Sequence, residues 1–269
     1  MYFWLVVVIL CSTPWWHKVV QMNDIHYWRN NRVFEAWRTY FGLRIYEEKG
    51  GGVCFHPPSG GENVIYTFVP HGLFPFGLTL ISGVLFKDKG VKIGIASNMF
   101  YIPVFGLLLR LLGCVEADKN LFKNSGSSIV IIPDGIAGAF HSDRTHEVLY
   151  LRERKGFVRE AIAHGYTAIV PVYCFGHTQL YDVYGWKEMS RRLRFALIGF
   201  WGRKPAIWLP HARVVSVVFG VPIPIVITDD CKASVENIHW NYLKSIKDLY
   251  DKYKSIVLDW DKKKELKII

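Results

Sequence analysis

The sequence predicts an α/β fold with a mixed, largely parallel sheet flanked by helices. Two observations support this: β-branched runs of strand length, and helical patterns that lie between most of them. Continuous apolar runs are expected where a sheet is covered on both faces. The strand mouths should then form one functional edge. The predicted strands are Val64 to Val69, Val91 to Ala96, Ser128 to Ile132, Ala168 to Tyr173 and Val214 to Phe219.

Three segments carry apolar residues at helical spacing. The last, from about Ser234 to Val257, has an apolar stripe opposite lysines and aspartates, which is typical of a docking helix. Asp24 to Gly42 combines apolar and basic residues, and it predicts either an interfacial helix with a basic rim or a helix packed on the domain. Met99 to Gly113 has Arg110 as its only charge, and either fills the core or lines a pocket.

The N-terminus is predicted to attach to a membrane. Met1 to Cys11 is an uncharged apolar run, and Trp15 and Trp16 suit the depth of lipid headgroups. The run is shorter than the about 20 residues that span a bilayer, so a completed span, a re-entrant segment, an interfacial anchor and a buried core helix all stay open. We therefore assign residues 1–20 to a hydrophobic anchor and 21–61 to an amphipathic helix and a Gly-rich linker.

Residues 62–269 are predicted to form one main domain. Apolar residues make up 51% of the 269-residue chain, which can bury one large core, and no polar low-complexity stretch divides it. The five cysteines form no Cys-x-x-Cys pair, which favours a reducing compartment. Cys54 and His56 could join His71 as metal ligands, but no fourth ligand stands at a zinc-like spacing, so we expect no metal.

The excess of basic residues suits an anionic partner. Lysine and arginine number 33 against 23 acidic residues, and three clusters stand at Arg152 to Lys155, Arg191 to Arg194 and Lys262 to Lys264. A lipid headgroup layer, a nucleic acid or a phosphate-bearing cofactor would fit, and a solvated face is the alternative for each cluster. No recognition-helix, zinc-finger or RNP-like pattern occurs, so no nucleic-acid partner is expected.

His71 stands at the mouth of the first predicted strand. Pro70 lacks an N–H and Gly72 tolerates positive φ, so together they should end the strand and turn the imidazole out of the sheet. A scaffold exposes a base in this way. The alternative is a capped turn that holds a hydrogen-bonded histidine.

Asp134 follows a second strand in a similar arrangement. The run into Pro133-Asp134-Gly135 could bring Asp134 to the same sheet edge as His71. There an aspartate can orient an imidazole through its other nitrogen and stabilise the cation. The alternative is a turn aspartate that favours Pro-Asp-Gly geometry.

Several ordered motifs give the chain a family resemblance. They are similar to the motifs of the type 2 diacylglycerol acyltransferase family, and they cover nearly the whole chain. The motifs are Val69-Pro70-His71-Gly72, Pro133-Asp134-Gly135, Arg154-Lys155-Gly156-Phe157-Val158 with His164-Gly165, and Val170 to Gly176, supported by Phe34 to Arg38 and Gly220 to Pro224.

The resemblance implies a glycerolipid-acyltransferase-like fold and acyl transfer from acyl-CoA to diacylglycerol, which yields triacylglycerol. It also implies a catalytic domain that faces the cytosol at the endoplasmic reticulum membrane, lipid-droplet contact, and no cofactor beyond acyl-CoA as co-substrate. A monoacylglycerol or fatty-alcohol acceptor, a catalytically silent lipid-binding relative and a thioesterase that uses Cys174 are the alternatives. Met99 to Gly113 could then line an acyl-chain pocket. The oligomeric state is not predicted.

The resemblance also implies roles for individual residues. His71 occupies the position of the family's catalytic histidine and is expected to act as general base. The wider superfamily has an aspartate five residues later, where this chain has Phe76, so Asp134 becomes the candidate catalytic partner. The other motif residues are expected to bind substrate or the phosphates of CoA: Pro70, Gly72, Pro133, Gly135, Arg154, Lys155, Gly156 and Phe157.

Two positions depart from the family pattern. The family usually has glycine where Asp134 stands, and members often carry glutamate where this chain has Gly138. Pro133-Asp134-Gly135 resembles the Pro-Glu-Gly of phosphate-acceptor acyltransferases, but the Thr-Arg that follows in those enzymes is Ile136-Ala137 here. An arginine suited to an acceptor phosphate is therefore missing, which favours a neutral acceptor.

Overall fold

A mixed eight-stranded sheet forms the centre of the protein. The structure is a computed structural model that describes residues 32–48, 63–85, 91–101, 106, 109–110, 112–123, 127–140, 146–193 and 197–269. The strands of all its sheets, in chain order, are β1 (Arg44–Glu47), β2 (Val64–Val69), β3 (Lys92–Ile95), β4 (Cys114–Glu116), β5 (Ile129–Ile131), β6 (Glu147–Leu149), β7 (Ala168–Phe175), β8 (Asp182–Gly185), β9 (Ile198–Trp201), β10 (Ser216–Phe219), β11 (Ile223–Pro224) and β12 (Leu266–Ile268).

The order of the main sheet is β1-β10-β7-β2-β5-β3-β4, with β11 paired to β7. The five strands from β7 to β4 run parallel to one another, whereas β10 is antiparallel to β7 and parallel to β1. The predicted mixed, largely parallel sheet is therefore confirmed, and all five predicted strands lie in it. β1, which falls in the segment assigned to the linker region, is an additional edge strand. β6 with β12, and β8 with β9, form two smaller sheets.

Helices cover both faces of the main sheet. The helices Gly156–Ala163 and Cys231–Tyr253 pack with one buried cluster, which includes Ile65 and Val69. The helices Arg32–Tyr40 and Phe76–Leu85 pack with another, which includes Tyr66 and Phe68. All six residues of β2 are buried because both of its faces are covered. The helices are α1 (Arg32–Tyr40), α2 (Phe76–Leu85), α3 (Lys119–Lys123), α4 (Gly135–Phe140), α5 (Gly156–Ala163), α6 (Lys187–Leu193) and α7 (Cys231–Tyr253), with 3₁₀ turns at Ser97–Tyr101 and His177–Gln179.

The predicted docking helix is α7, displaced slightly toward the N-terminus. It begins at Cys231 because the Asp230 carboxylate accepts hydrogen bonds from the backbone N–H groups of Lys232 and Ala233, which caps the first turn. The apolar residues that face the domain are buried, as expected for docking: Val235, Ile238, Tyr242, Ile246, Leu249 and Tyr253. Ile256, which falls within the predicted helix range, lies beyond the end of the observed helix and is exposed.

The two other predicted helices are described only in part. In α1, Trp37 stacks on Phe41 at 5.4 Å and contacts Phe76 at 5.8 Å, so the described part packs on the domain. Phe100 and Leu109, in the third segment, are buried. The predicted anchor and the first half of the Asp24 to Gly42 helix lie outside the described residues. Among those that are described, no helix is long and apolar enough to cross a membrane.

Candidate functional site

Three adjacent parallel strands meet at the site. His71 lies just beyond β2, Asp134 just beyond β5 and His177 just beyond β7, and β2 is paired to both of the other strands. Parallel strands present their carboxyl ends at one edge of a sheet, so the three residues converge although they are far apart in sequence. The expectation that His71 and Asp134 share a sheet edge is confirmed, because the two residues are hydrogen bonded to each other.

His71 is partly exposed and is held as a neutral imidazole. Its Nδ1 lies 2.7 Å from the carbonyl oxygen of Gly72. A carbonyl oxygen only accepts, so Nδ1 carries the proton and Nε2 has a free lone pair. The protein around the ring disfavours the cation and lowers the pKa of His71 below 6.5, against the opposing effect of the Gly72 carbonyl. The ring can therefore accept a proton at neutral pH.

Asp134 contacts the main chain of His71 and not its ring. Its Oδ2 accepts a hydrogen bond from the backbone N–H of His71 at 3.0 Å. The expected contact between the carboxylate and the second ring nitrogen does not form, because that nitrogen donates to Gly72 instead. The position of Asp134 beside His71 was predicted correctly, whereas the mode of contact was wrong. Its role as a catalytic partner stays a prediction.

The environment of Asp134 favours its protonated form. The side chain is fully buried, and Oδ1 has no hydrogen-bond partner among the described residues. Burial raises the pKa of Asp134 to about 7, because the charged form loses its hydration. The backbone N–H of His71 and the positive charge of Arg154 act in the opposite direction. Asp134 therefore exchanges its proton in the neutral pH range.

Gly138 accommodates the Asp134 side chain. A Cβ atom at position 138 would overlap Asp134 Oδ2, which already contacts His71. A side chain at 138 and a carboxylate at 134 therefore exclude each other in this conformation. The two departures from the family pattern are one structural change, in which the aspartate occupies the space that a residue at 138 would need.

His177 is a site residue that the sequence analysis missed. Its ring is buried; Nδ1 donates to the Pro70 carbonyl oxygen at 3.1 Å, and Nε2 accepts from the backbone N–H of Gly77. The ring thus joins the residue before His71 to the first turn of α2. The quoted motif ended at Gly176, one residue short, and no periodicity marks a histidine whose partners are both main-chain groups.

His177 also fixes the requirement for glycine at position 72. Gly72 has φ of +61°, and a Cβ there would lie 3.0 Å from the His177 carbonyl oxygen, so both torsion and space favour glycine. The expected positive φ at Gly72 is confirmed. Burial lowers the pKa of His177 to about 4. This ring stays neutral at physiological pH, as its acceptor role at Nε2 requires.

The basic motif lies at the start of α5. Arg154 is exposed, with its guanidinium 5.1 Å from the centre of the Tyr150 ring, and its charge acts on Asp134. Lys155 forms an ion pair with Glu236 of α7, with Nζ 2.6 Å from Oε2. No described atom lies within 4 Å of a Cβ built on Gly156, which leaves open space above the helix start.

The remaining motif residues have structural partners. Phe157 is buried against Tyr242, with ring centres 5.2 Å apart, so it packs in the core. Gly135 has φ of +52° and begins α4 directly after Pro133 and Asp134. These contacts show how the motifs build the site. They leave the predicted binding roles as predictions.

Cys174 is poorly placed for thiol chemistry. It is fully buried within β7, directly opposite Val217 of β10. Burial, and secondarily the charge of Asp134, raise the pKa of its thiol, so the nucleophilic thiolate is disfavoured. The geometry therefore gives no support to the thioesterase alternative. Cys54 and His56, considered above as metal ligands, lie outside the described residues.

Comparison with known proteins identifies the family of this chain. Residues 3–268 match the model of the family described as diacylglycerol acyltransferase. The chain belongs to this family. The resemblance seen in the sequence motifs is thereby confirmed over almost the full length.

Named relatives share the chemistry and differ in acceptor. Diacylglycerol O-acyltransferase 2 of Danio rerio is 26% identical and covers 94% of this chain and 77% of its own. Acyl-CoA wax alcohol acyltransferase 2 of Homo sapiens is 26% identical, with coverages of 84% and 74%. 2-acylglycerol O-acyltransferase 1 of Mus musculus is 29% identical, with coverages of 72% and 66%. These names identify O-acyltransferases, and family membership makes this chain an acyltransferase.

One solved structure is also similar. It is the 1-acyl-sn-glycerophosphate (LPA) acyltransferase of Thermotoga maritima, with a TM-score of 0.49, 16% sequence identity, and coverage of 84% of this chain and 79% of that one.

Proposed function

We propose that the protein esterifies diacylglycerol to triacylglycerol with acyl-CoA as donor and His71 as general base. The observation that carries the proposal is the state of His71: a neutral ring with Nδ1 donating to Gly72 and Nε2 available, in a chain of this family. A general base contributes about 10²- to 10⁴-fold to a rate when its pKa lies near the working pH.

The proposed reaction is direct transfer. Nε2 of His71 takes the proton of the acceptor hydroxyl while its oxygen attacks the thioester carbonyl carbon. The tetrahedral intermediate collapses with cleavage of the C–S bond, and the imidazolium returns the proton to the CoA thiolate. The products are an ester and free CoA, and His71 is neutral again. No covalent enzyme intermediate is required.

The basic motif supports a site for the phosphates of CoA. Arg154 and Lys155 flank the open space at Gly156, and Arg159 is exposed in the next turn of α5. Arginine and lysine both bind phosphate, arginine in a bidentate geometry. Lys155 would have to exchange Glu236 for a phosphate, since the two side chains are paired in the structure.

The acceptor is proposed to be a neutral glycerolipid. Ile136 and Ala137 stand where the Thr-Arg that would bind a phosphate is expected, and they follow Gly135 in the first turn of α4. Relatives that are named for diacylglycerol, wax alcohol and 2-acylglycerol have similar identities, so monoacylglycerol and fatty alcohol are the alternative acceptors.

We also propose that the protein works at the endoplasmic reticulum membrane, with its catalytic domain toward the cytosol, and at lipid droplets. The uncharged run Met1 to Cys11 supports attachment. Removal of Met1 to Trp16 should weaken vesicle flotation without abolishing it. Complete solubility of the truncated chain would make that run the only anchor.

The test is turnover by the purified full-length chain with radiolabelled acyl-CoA and a panel of neutral acceptors. His71→Ala should lower transfer at least 100-fold with an unchanged melting temperature. His164→Ala is the matched control, since this histidine lies just after α5 and contacts the backbone carbonyl oxygen of Glu160. Wild-type-like transfer by folded His71→Ala protein would end the proposed mechanism.

The products separate the alternatives. Ester identity distinguishes the three acceptors, and release of free acid would indicate hydrolysis. No turnover with any acceptor, by protein that is folded and bound to lipid, would favour a catalytically silent lipid-binding relative. That alternative is motivated by the linked change at Asp134 and Gly138.

A further inference from the structure

We propose that an aromatic surface formed by β8, β9 and the loop 202–209 docks on a lipid surface that carries anionic headgroups. This is a second contact with lipid, distinct from the predicted N-terminal anchor. Large apolar side chains that are normally buried are exposed here among the described residues. We call this set the aromatic face: Tyr184, Trp186, Trp201, Ile207 and Trp208, with exposures of 57%, 47%, 44%, 51% and 69%.

The β8–β9 hairpin arranges part of this face. Tyr184 pairs with Gly199 and Asp182 with Trp201, so the side chains of Tyr184 and Trp201 project from the same side of the two-stranded sheet. The Trp186 ring lies edge-on to Tyr184 at 5.1 Å and over Gly199, where an added Cβ would be 3.3 Å from it. The rings are therefore held on the outside of the domain by contacts with each other.

Hydrogen bonds fix the loop that carries the other two residues. The backbone N–H of Gly202 donates to the Ile207 carbonyl oxygen at 2.6 Å, and that of Arg203 donates to Leu209 at 2.8 Å. Tyr181 Oη donates to the Trp208 carbonyl oxygen at 3.0 Å. Ile207 and Trp208 are thus exposed on a loop that hydrogen bonds hold in place. Binding through them therefore costs little conformational entropy.

The chemistry of the face favours a lipid headgroup layer. Tryptophan and tyrosine concentrate at the interface between hydrocarbon and water, because each ring has an apolar body and a polar tip. Arg203 and Lys204 are exposed in the same loop, and residues 198–209 contain no acidic side chain. Basic residues that flank an aromatic insertion are attracted to anionic headgroups. Aliphatic Ile207 at the tip suits hydrocarbon better than a nucleic-acid base.

Strand β9 joins the aromatic face to the loop that follows His71. Phe200, on the other side of β9, contacts Phe74 at 5.6 Å and Tyr181 at 5.3 Å. Phe74 lies three residues after His71, so these ring contacts join β9, which carries Trp201, to the loop that carries the proposed base. This part rests on the proposed function: a lipid acceptor would leave the membrane beside the residue that deprotonates it.

The test measures local protection in the full-length chain. Hydrogen–deuterium exchange of residues 198–209 would be followed with no vesicles, with phosphatidylcholine vesicles, and with vesicles that also contain phosphatidylserine. Exchange should slow about tenfold on the anionic vesicles. Trp201→Ala/Trp208→Ala should abolish that protection. Trp240→Ala is the matched control, because Trp240 is about as exposed as Trp208, at 66% against 69%, but lies on α7.

A local readout is needed because other parts of the chain can also hold it on a vesicle. Unchanged exchange of 198–209 in protein that floats with vesicles would overturn the proposal. Additional protection that appears without vesicles as the protein concentration rises would also overturn it, because it would indicate a second copy on the aromatic face. Arg203→Glu/Lys204→Glu should remove the difference between the two vesicle types, and a persisting difference would refute the proposed charge contribution.

Failure of this proposal and failure of the proposed function are distinguishable. Protection is measured without turnover, so a lipid-docking face can stand in a protein that transfers no acyl group. Conversely, the Trp201→Ala/Trp208→Ala protein should keep wild-type transfer to a detergent-dispersed acceptor while losing at least tenfold of its transfer on vesicles. Equal losses on both substrates would assign the two tryptophans to the catalytic domain's integrity and not to docking.

Discussion

His71 lies between two buried ionisable groups that differ in how completely they are hydrogen bonded. His177, on the β7 side, has both ring nitrogens bonded to main-chain groups of the loop around His71. Asp134, on the β5 side, uses one oxygen on the backbone N–H of His71, and the other has no partner among the described residues. Both side chains therefore hold the main chain around His71. His177 has all its hydrogen bonds, whereas Asp134 lacks one within the described part of the chain.

The two groups also differ in the pH at which they change protonation state. Burial lowers the pKa of His177 to about 4 and raises that of Asp134 to about 7, so both neutral forms are favoured. His177 stays neutral throughout the physiological range, and its bonds are constant. Asp134 changes its proton occupancy in that range. A buried polar atom without a partner is destabilising, so its presence at a site invites a functional explanation.

The largest expected effect comes from removing the His177 ring and its two hydrogen bonds. His177→Ala should lower the free energy of unfolding by about 4 to 5 kcal/mol, because it opens a cavity and leaves the Gly77 N–H and the Pro70 carbonyl unpaired. His177→Gln is the matched control, since its amide can donate to one group and accept from the other. Urea unfolding measures both. Equal losses in the two variants would show that ring packing, not hydrogen bonding, is what matters.

The next largest effect is the pH dependence of stability that Asp134 causes. Asp134 has a folded-state pKa of about 7 against 3.8 for an unperturbed carboxyl, so the folded state binds more protons between these values and stability falls as pH rises through that window. Asp134→Asn removes this dependence and should gain about 3 to 4 kcal/mol at pH 8 and almost nothing at pH 4.

His177 makes stability depend on pH in the opposite direction, so it serves as the control. Its folded-state pKa of about 4 lies below the ordinary 6.5, so the unfolded state binds more protons in that window and stability is lost as pH falls from 6.5 toward 4. Melting temperatures of wild type, Asp134→Asn and His177→Gln across pH 4 to 8 would separate the two slopes. If Asp134→Asn raised the melting temperature equally at pH 4 and pH 8, the raised pKa of Asp134 would be contradicted.

A smaller effect tests the link between Asp134 and Gly138. Gly138→Ala should destabilise the protein by about 2 kcal/mol, because the new methyl group overlaps Asp134 Oδ2. In an Asp134→Gly background the same change should be neutral, or stabilising by up to about 1 kcal/mol through helix propensity. A double-mutant cycle measures this coupling. Additive effects would mean that the two positions are independent.

The smallest effect concerns turnover. The Asn side-chain oxygen can accept the bond from the His71 N–H as the carboxylate does, so Asp134→Asn should keep acyl transfer within about threefold of wild type. Asp134→Ala should lose more, since it frees the His71 main chain. A tenfold loss in folded Asp134→Asn protein would instead show that the carboxylate takes part in the reaction.

Local patterns predicted most of the sheet and only part of the site. β2, β5 and β7 have runs of β-branched residues because both faces of the sheet are covered, and such runs are visible in one sequence. β1 and β12 contain charged residues at sheet edges and were missed. Their positions depend on partners that are far away in the chain.

The site residues show the same limit. Proline and glycine after a strand indicated where His71 and Asp134 would lie, because turn chemistry is local. The bond from Asp134 to the His71 backbone, and the bonds of His177 to Pro70 and Gly77, involve main-chain groups that every residue has. No side-chain pattern marks such partners, so only the folded geometry identifies them.

The position of β2 has a consequence for synthesis of the chain. This fully buried strand lies between β5 and β7, and both neighbours are made later. At about 5 to 20 residues per second, the ribosome needs roughly 5 to 20 s to add the about one hundred residues between the end of β2 and the end of β7. During that interval the segment VIYTFV has two open edges and two apolar faces. A chain interrupted before β7 would retain that exposed strand, and it should be a target for chaperones and for quality-control proteases.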